Sequence, residues 1–298
     1  MDRPLDFLII GAQKAGTTSL WHALRQHPDI FLSPAKEIHF WSHDEFWNLG
    51  PSYLNPFYED LGDERIIGGS YAHLMFLPQA PERVTSYNRS MKVLACLRDP
   101  VSRAYSAYWF ARLNGWETEP SFERAIEKES TRSVSGGQAY TELTYLSHGY
   151  YAEQLNRWFD CLGPDQVMVI DSQELSTRTN NVVRRVTDWF GVEPVNTSIE
   201  HSPANEAAAP RFALLQAIVM KENRVKRLFR QVTSPALRWK IQKNVTEPLS
   251  WWNRKPHQYA PINPDTRARL IEHFEPQTRQ LESMLGKTFE HWRSIGKT

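Results

Sequence analysis

The stretch Phe7-Leu8-Ile9-Ile10-Gly11-Ala12-Gln13-Lys14-Ala15-Gly16-Thr17-Thr18-Ser19-Leu20-Trp21 decides how this chain is read. A compact apolar run ends at Gly11, a loop closed by Gly16 follows, and from Thr17 to Gln26 the residues Leu20, Trp21 and Leu24 fall on one helical face. The short run bounded by glycine predicts a buried strand and the later spacing predicts an amphipathic helix, so the order is strand, loop, helix. At such a junction the backbone N–H groups and the positive end of the helix dipole converge on an anion. Lys14 adds a full charge there, and the hydroxyls of Thr17 and Thr18 add donors.

Working outward, further short apolar runs occur at Arg65 to Gly68, Lys92 to Leu97 and Gln166 to Ile170. Helical spacing fills Val101 to Leu113, Ser121 to Thr131, Tyr150 to Leu162 and Asn180 to Phe190. Strands buried on both faces and alternating with helices indicate a parallel sheet. Asn263-Pro264-Asp265 reads as an N-cap with proline at the first helical position, opening a helix that turns Leu270, Ile271, Phe274, Leu281 and Leu285 to the core and is kinked at Pro276. The fold expected is α/β: a single domain with a central, mainly parallel sheet flanked by helices, and a P-loop-like anion loop at its first turn.

Composition narrows the functions. Lys plus Arg (35) against Asp plus Glu (34) leaves a charge of +1, which argues against a surface that coats nucleic acid, so any basic site is local. Cys96 and Cys161 have no metal-ligand spacing and read as buried apolar residues, which disfavours a disulfide scaffold or structural zinc. The apolar run near the N-terminus is too short for a signal or a membrane span, so the expectation is a soluble, cytoplasmic protein. Residues 192–211 hold Pro194, Pro203 and Pro210 and read as a surface loop. From Lys221 to Lys255 ten basic residues face two acids, Glu222 and Glu247. A solvated helical face, an anion-binding flap over the site, or a surface for anionic lipid with Val219, Val225, Leu228 and Phe229 beneath it all fit.

The loop is similar to G-x-x-x-x-G-K-[ST], but Thr17 follows Gly16 and the lysine lies inside the loop, so an ordinary nucleotidase loses weight. A second element, Leu97-Arg98-Asp99-Pro100-Val101-Ser102-Arg103-Ala104-Tyr105-Ser106, places Arg98 at a strand tip and Ser106 two turns along the next helix, a pairing suited to a separate phosphate. A third, Lys36-Glu37-Ile38-His39-Phe40, sets Glu37 and His39 on one side of an extended segment, where either could take a proton from an acceptor. A surface carboxylate paired with Lys36 is the plainer alternative.

Together these motifs resemble the sulfotransferases that use 3′-phosphoadenosine 5′-phosphosulfate (PAPS), in the branch of the heparan sulfate N- and 3-O-sulfotransferases and their bacterial relatives. The K-x-G-T-T loop matches Lys14, Gly16, Thr17 and Thr18, and the R-x-P-x-x-R-x-x-S segment matches Arg98, Arg103 and Ser106. The K-E-x-H-F-F-D segment matches Lys36 to Phe40, with Trp41 and then Ser42 in place of the aspartate. The likeness extends through Gly149 to Leu155, Asn205 to Arg211 and Leu285 to Phe289, and a lysine that some relatives carry after the third strand is replaced by Gly69-Ser70-Tyr71.

The resemblance implies one sulfotransferase domain over residues 1–298, with 192–260 as a loop or helical cap. It implies PAPS as sulfuryl donor, 3′,5′-phosphoadenosine (PAP) as product and no metal. Gly11, Gln13, Lys14, Ala15, Gly16, Thr17, Thr18 and Ser19 would hold the phosphosulfate, Arg98 and Ser106 the 3′-phosphate. Glu37 would be the base, His39 its helper or substitute, and Lys14 the stabiliser of charge on the leaving phosphate. The expected acceptor is a small-molecule, lipid-like or sugar hydroxyl in preference to an amine. Tryptophans including Trp41, Trp47, Trp109, Trp116, Trp251 and Trp252 could stack on it or belong to the core. The rivals are a P-loop small-molecule kinase and a non-catalytic anion- or membrane-binding module.

Overall fold

The computed structural model of the chain describes residues 3–194, 208–210, 233, 254–256 and 259–294, with the backbone alone for 208–210 and 254–256. The central sheet has five strands in the order β2-β3-β1-β4-β5, formed by β1 (Phe7–Gly11), β2 (Ile30–Leu32), β3 (Ile66–Ser70), β4 (Lys92–Leu97) and β5 (Val167–Asp171). Every pairing in it is parallel. All five residues of β1 are buried, as a central strand covered on both faces requires. From β1 the chain steps outward to β2, returns through β3 and crosses to β4, so the strand order reverses about β1. Its carboxyl edge is where open α/β sheets bind ligands.

The crossovers use α1 (Thr17–Leu24), α2 (Asp44–Trp47), α3 (Ala80–Tyr87), α4 (Pro100–Leu113), α5 (Phe122–Glu127), α6 (Glu129–Ser133), α7 (Gly137–Glu142) and α8 (Tyr151–Leu162), and α9 (Ser172–Thr177) and α10 (Thr179–Phe190) follow β5. A final helix, α11 (Pro264–Leu285), packs on α8 and α4. Asn263 caps it through the Asp265 and Thr266 N–H groups, and it continues past Pro276 to Gly286, whose φ of 60° ends it. Leu270, Phe274 and Leu281 are buried as expected, whereas Ile271 and Leu285 are half-buried. The helix expected over 121–131 is two, separated at Lys128. A short strand β6 (Ala208–Pro210) pairs antiparallel with β7 (Arg254–Pro256).

Two buried polar joints fix the carboxyl edge. Asp99 caps α4 by accepting the Val101 N–H (3.1 Å) and also holds Arg267 of α11 at 2.9 Å. Tyr151, the first residue of α8, donates its hydroxyl to the Arg98 carbonyl at 2.9 Å. Gly149 allows this packing, because a Cβ there would lie 2.7 Å from the Phe274 ring. Cys96 is buried, with its thiol pushed up to about 12 by burial, while Cys161 is half-buried rather than buried. Most of the basic stretch of 221–255, the loop of 195–207 and most of the expected cap at 192–260 lie outside the described residues, as do Trp251 and Trp252.

Candidate active site

The loop after β1 has the backbone that its glycines require. Gly16 takes φ 94° as the N-cap of α1, and no side chain caps that helix, so its first N–H groups are open to a ligand. Gly11 lies so near β3 that an added Cβ would come within 2.8 Å of the Ala72 carbonyl oxygen. Ala12 donates its N–H to the Cys96 carbonyl (2.7 Å), carrying the β1–β4 ladder into the loop. Ala15 and Thr17 are buried, and Thr18 and Ser19 are half-buried on the first turn of α1.

Arg98 and Lys14 are brought together. The Arg98 guanidinium donates to the Lys14 carbonyl at 3.3 Å, tying the β4 tip to the loop. The Lys14 ammonium lies 4.5 Å from the centroid of the Phe110 ring on α4. Phe110 is four residues beyond Ser106 and shares its helix face, so the ammonium lies along the face that carries Ser106. Ser106 is half-buried, and no hydrogen bond joins it to Arg98 among the described residues. Its neighbour Ser102 is committed to Asp99. Arg103, matched to the same motif but given no phosphate contact by it, lies inside the protein. It is fully buried, and it donates to the Tyr145 carbonyl, so it builds the wall beneath the site.

The third element lies along the tip of β3. Ile38 donates its N–H to the Ser70 carbonyl (2.9 Å), and alternation then buries Ile38 and Phe40 while Glu37 and His39 stay half-buried on the other side. One Glu37 carboxylate oxygen pairs with the Lys36 ammonium and the other accepts the Ala72 N–H at 3.0 Å. Glu37 is thus paired with Lys36, as the plainer reading expected, and its second oxygen is held at the end of β3 by the Ala72 N–H. Burial by itself raises its carboxyl, but the Lys36 ammonium, its hydrogen bond, the Ala72 N–H and His73 outweigh burial and keep it below the usual carboxylate range. The His39 ring lies against Tyr71 (4.5 Å between centroids) and His43 (5.4 Å). Ser42, at the position where the resemblance departs, is buried and bonds the His39 carbonyl and the His43 ring.

Three residues escaped the sequence reading. Glu142 of α7 reaches the loop and accepts the Gln13 side-chain amide at 2.8 Å. Its other oxygen is 3.1 Å from the imidazole of His73, which follows Ala72. Tyr71 stacks beside His39 and His73. Of the tryptophans, Trp41 is core, whereas Trp109 is half-buried and stacks on Tyr259 with centroids 5.2 Å apart.

Fold and site together define a parallel-sheet α/β protein with a glycine-bounded loop at its switch point. The chain belongs to the sulfotransferase domain family, whose model matches residues 4–234. It is 31% identical over 206 residues to the human bifunctional heparan sulfate N-deacetylase/N-sulfotransferase 3, covering 65% of this chain and 23% of that protein. It is 28% identical over 190 residues to the mouse heparan sulfate glucosamine 3-O-sulfotransferase 3A1, covering 64% of this chain and 46% of that protein. The chain thus spans less than half the length of these curated relatives. Among solved structures, the sulfotransferase from Alicyclobacillus acidocaldarius superposes with a TM-score of 0.71 at 26% identity, covering 99% of this chain and all of that one. Membership of this family does not favour the kinase alternative.

Proposed function

We propose that this chain transfers a sulfuryl group from PAPS to a hydroxyl, in preference to an amine, of a small-molecule, lipid-like or sugar acceptor. The observation that carries the reading is the double role of Ala72. Its carbonyl abuts Gly11 of the anion loop, and its N–H holds Glu37, so one residue sets an ionised carboxylate beside the loop. The open N-terminus of α1, the glycine backbone and the cationic Lys14 and Arg98 fit a ligand with two separated anionic groups, as PAPS has. The donor supplies the sulfuryl group; the chain supplies position and charge.

Residues Gly11 to Ser19 would hold the phosphosulfate end, and Lys14 would balance charge on the phosphate left behind. Arg98 and Ser106 would take the 3′-phosphate. Glu37 would accept the acceptor proton, with His39 beside it. The relatives named above are heparan sulfate enzymes. The near-neutral charge of this chain (+1) and the burial of Ser42 favour a smaller acceptor than a sulfated polymer.

Calorimetry, with PAP and adenosine 5′-phosphate titrated in the absence of metal and Mg-ATP in a separate run, tests the reading. PAP should bind tightly, adenosine 5′-phosphate weakly, and Mg-ATP no better than adenosine 5′-phosphate. A preference for Mg-ATP would restore the kinase, and no nucleotide binding would restore the anion-binding module.

A further inference from the structure

We propose that Glu142 is a positioning residue that ties the anion loop to the acceptor side of the site; this rests on the sulfuryl-transfer reading and deepens it. One of its carboxylate oxygens accepts the Gln13 amide (2.8 Å) and the other holds the His73 imidazole Nε2 (3.1 Å). These partners come from the loop after β1 and from the tip of β3, and all three side chains are largely withdrawn from water. His73 directly follows Ala72, the residue that anchors Glu37. The clamp therefore spans the two segments that any bound donor and acceptor must touch.

Holding Nε2 on Glu142 determines what the rest of the His73 ring can do. Its Nδ1 is buried and has no hydrogen-bond partner among the described residues. The charged groups around it are Glu142 from α7, Glu37 and Lys36 from the segment before α2, and His148 from the turn before α8. Burial disfavours the imidazolium and Lys36 opposes it, but Glu142 and Glu37 outweigh both and raise His73 above its ordinary value. Burial, Arg103 and His73 push His148 well down, so it remains neutral beside His73. Geometry holds Nε2 on Glu142 and leaves Nδ1 buried without a partner among the described residues, and the upward shift favours the doubly protonated ring there.

The test is Glu142→Gln in the full chain. The amide turns one of the two carboxylate oxygens into an NH2 donor, so the separate acceptors that hold Gln13 and His73 are no longer both present. Histidine-selective NMR, with the His73 signal assigned through His73→Gln, should show its titration midpoint falling by about one unit or more. Calorimetry should show PAP binding about three- to tenfold weaker, with the circular dichroism spectrum retained. A His73 midpoint that does not move, or unchanged PAP affinity, would overturn the proposal. Should Glu142→Gln not fold, Gln13→Ala removes the other end of the clamp. It should weaken PAP by a similar factor and leave the His73 midpoint in place, and wild-type PAP affinity in that variant would equally overturn the clamp. If the wild-type chain fails to bind PAP, the sulfuryl-transfer reading falls, while the His73 titration still decides whether Glu142 governs that imidazole.

Discussion

At Glu37 two demands meet. A base must be ionised at working pH, and it must also reach the acceptor proton. Lys36, the Ala72 N–H and His73 meet the first demand by holding the carboxyl below its usual range against the effect of burial. A group held down in this way is ionised above its lowered pKa, so activity that needs the carboxylate is lost as pH falls through that value. Lys36→Met removes the largest lowering influence, and the acid limb of the rate profile should move to higher pH, which a kcat profile between pH 4 and 8 checks. Arg98→Ala removes a charge-assisted contact and should weaken PAP about ten- to a hundredfold while affecting adenosine 5′-phosphate much less. Equal loss for both nucleotides in calorimetry would assign Arg98 to the loop carbonyl alone. Glu37, His39, Lys14 and Arg98 were readable because each lies within a local pattern. His73 and Glu142 were not, since residues so far apart in sequence meet only through the packing of α7 on the loop.

Elements were readable in proportion to how much local sequence they use. The strand β4 coincides with the apolar run from Lys92 to Leu97, and β1 and β5 were found because central parallel strands are continuous apolar runs. The strand β2 was missed, being three residues long at the edge of the sheet. The helix break at Lys128 also leaves no mark in the hydrophobic spacing, since it comes from that one residue's backbone (φ −87°, ψ 0°) with no side-chain cap. The joint between α4 and α11 is the element-scale feature with the clearest energetic consequence. Arg267 is almost fully buried against Asp99, so Arg267→Ala leaves that carboxylate without this ion pair, held by the Val101 N–H and the Ser102 hydroxyl. The expected loss is about 3–5 kcal/mol of stability, seen in urea unfolding. A loss near zero would mean that the pair adds nothing beyond the cap. Gly11→Ala should instead damage the site, because its methyl would press on the Ala72 carbonyl and displace the segment that anchors Glu37.

For the whole molecule, the family match over residues 4–234 and the superposition on a bacterial sulfotransferase agree with the five-stranded parallel sheet, whose carboxyl edge carries the proposed site. Binding at that edge should stabilise the entire fold. With PAP at a hundred times its dissociation constant the gain is about 2.7 kcal/mol, visible as a rise in Tm. Adenosine should give little rise, because it carries neither anionic group. The most direct measurement gives the wild-type chain and Glu37→Gln sulfur-35-labelled PAPS with a fractionated acceptor extract, and records PAP affinity for both. The wild type should move label into an acceptor fraction, while Glu37→Gln binds PAP normally and transfers label about 10² to 10⁴ times more slowly. Transfer at the wild-type rate by Glu37→Gln, or PAP binding without transfer to any fraction by the wild type, would contradict a sulfuryl-transfer site built around Glu37.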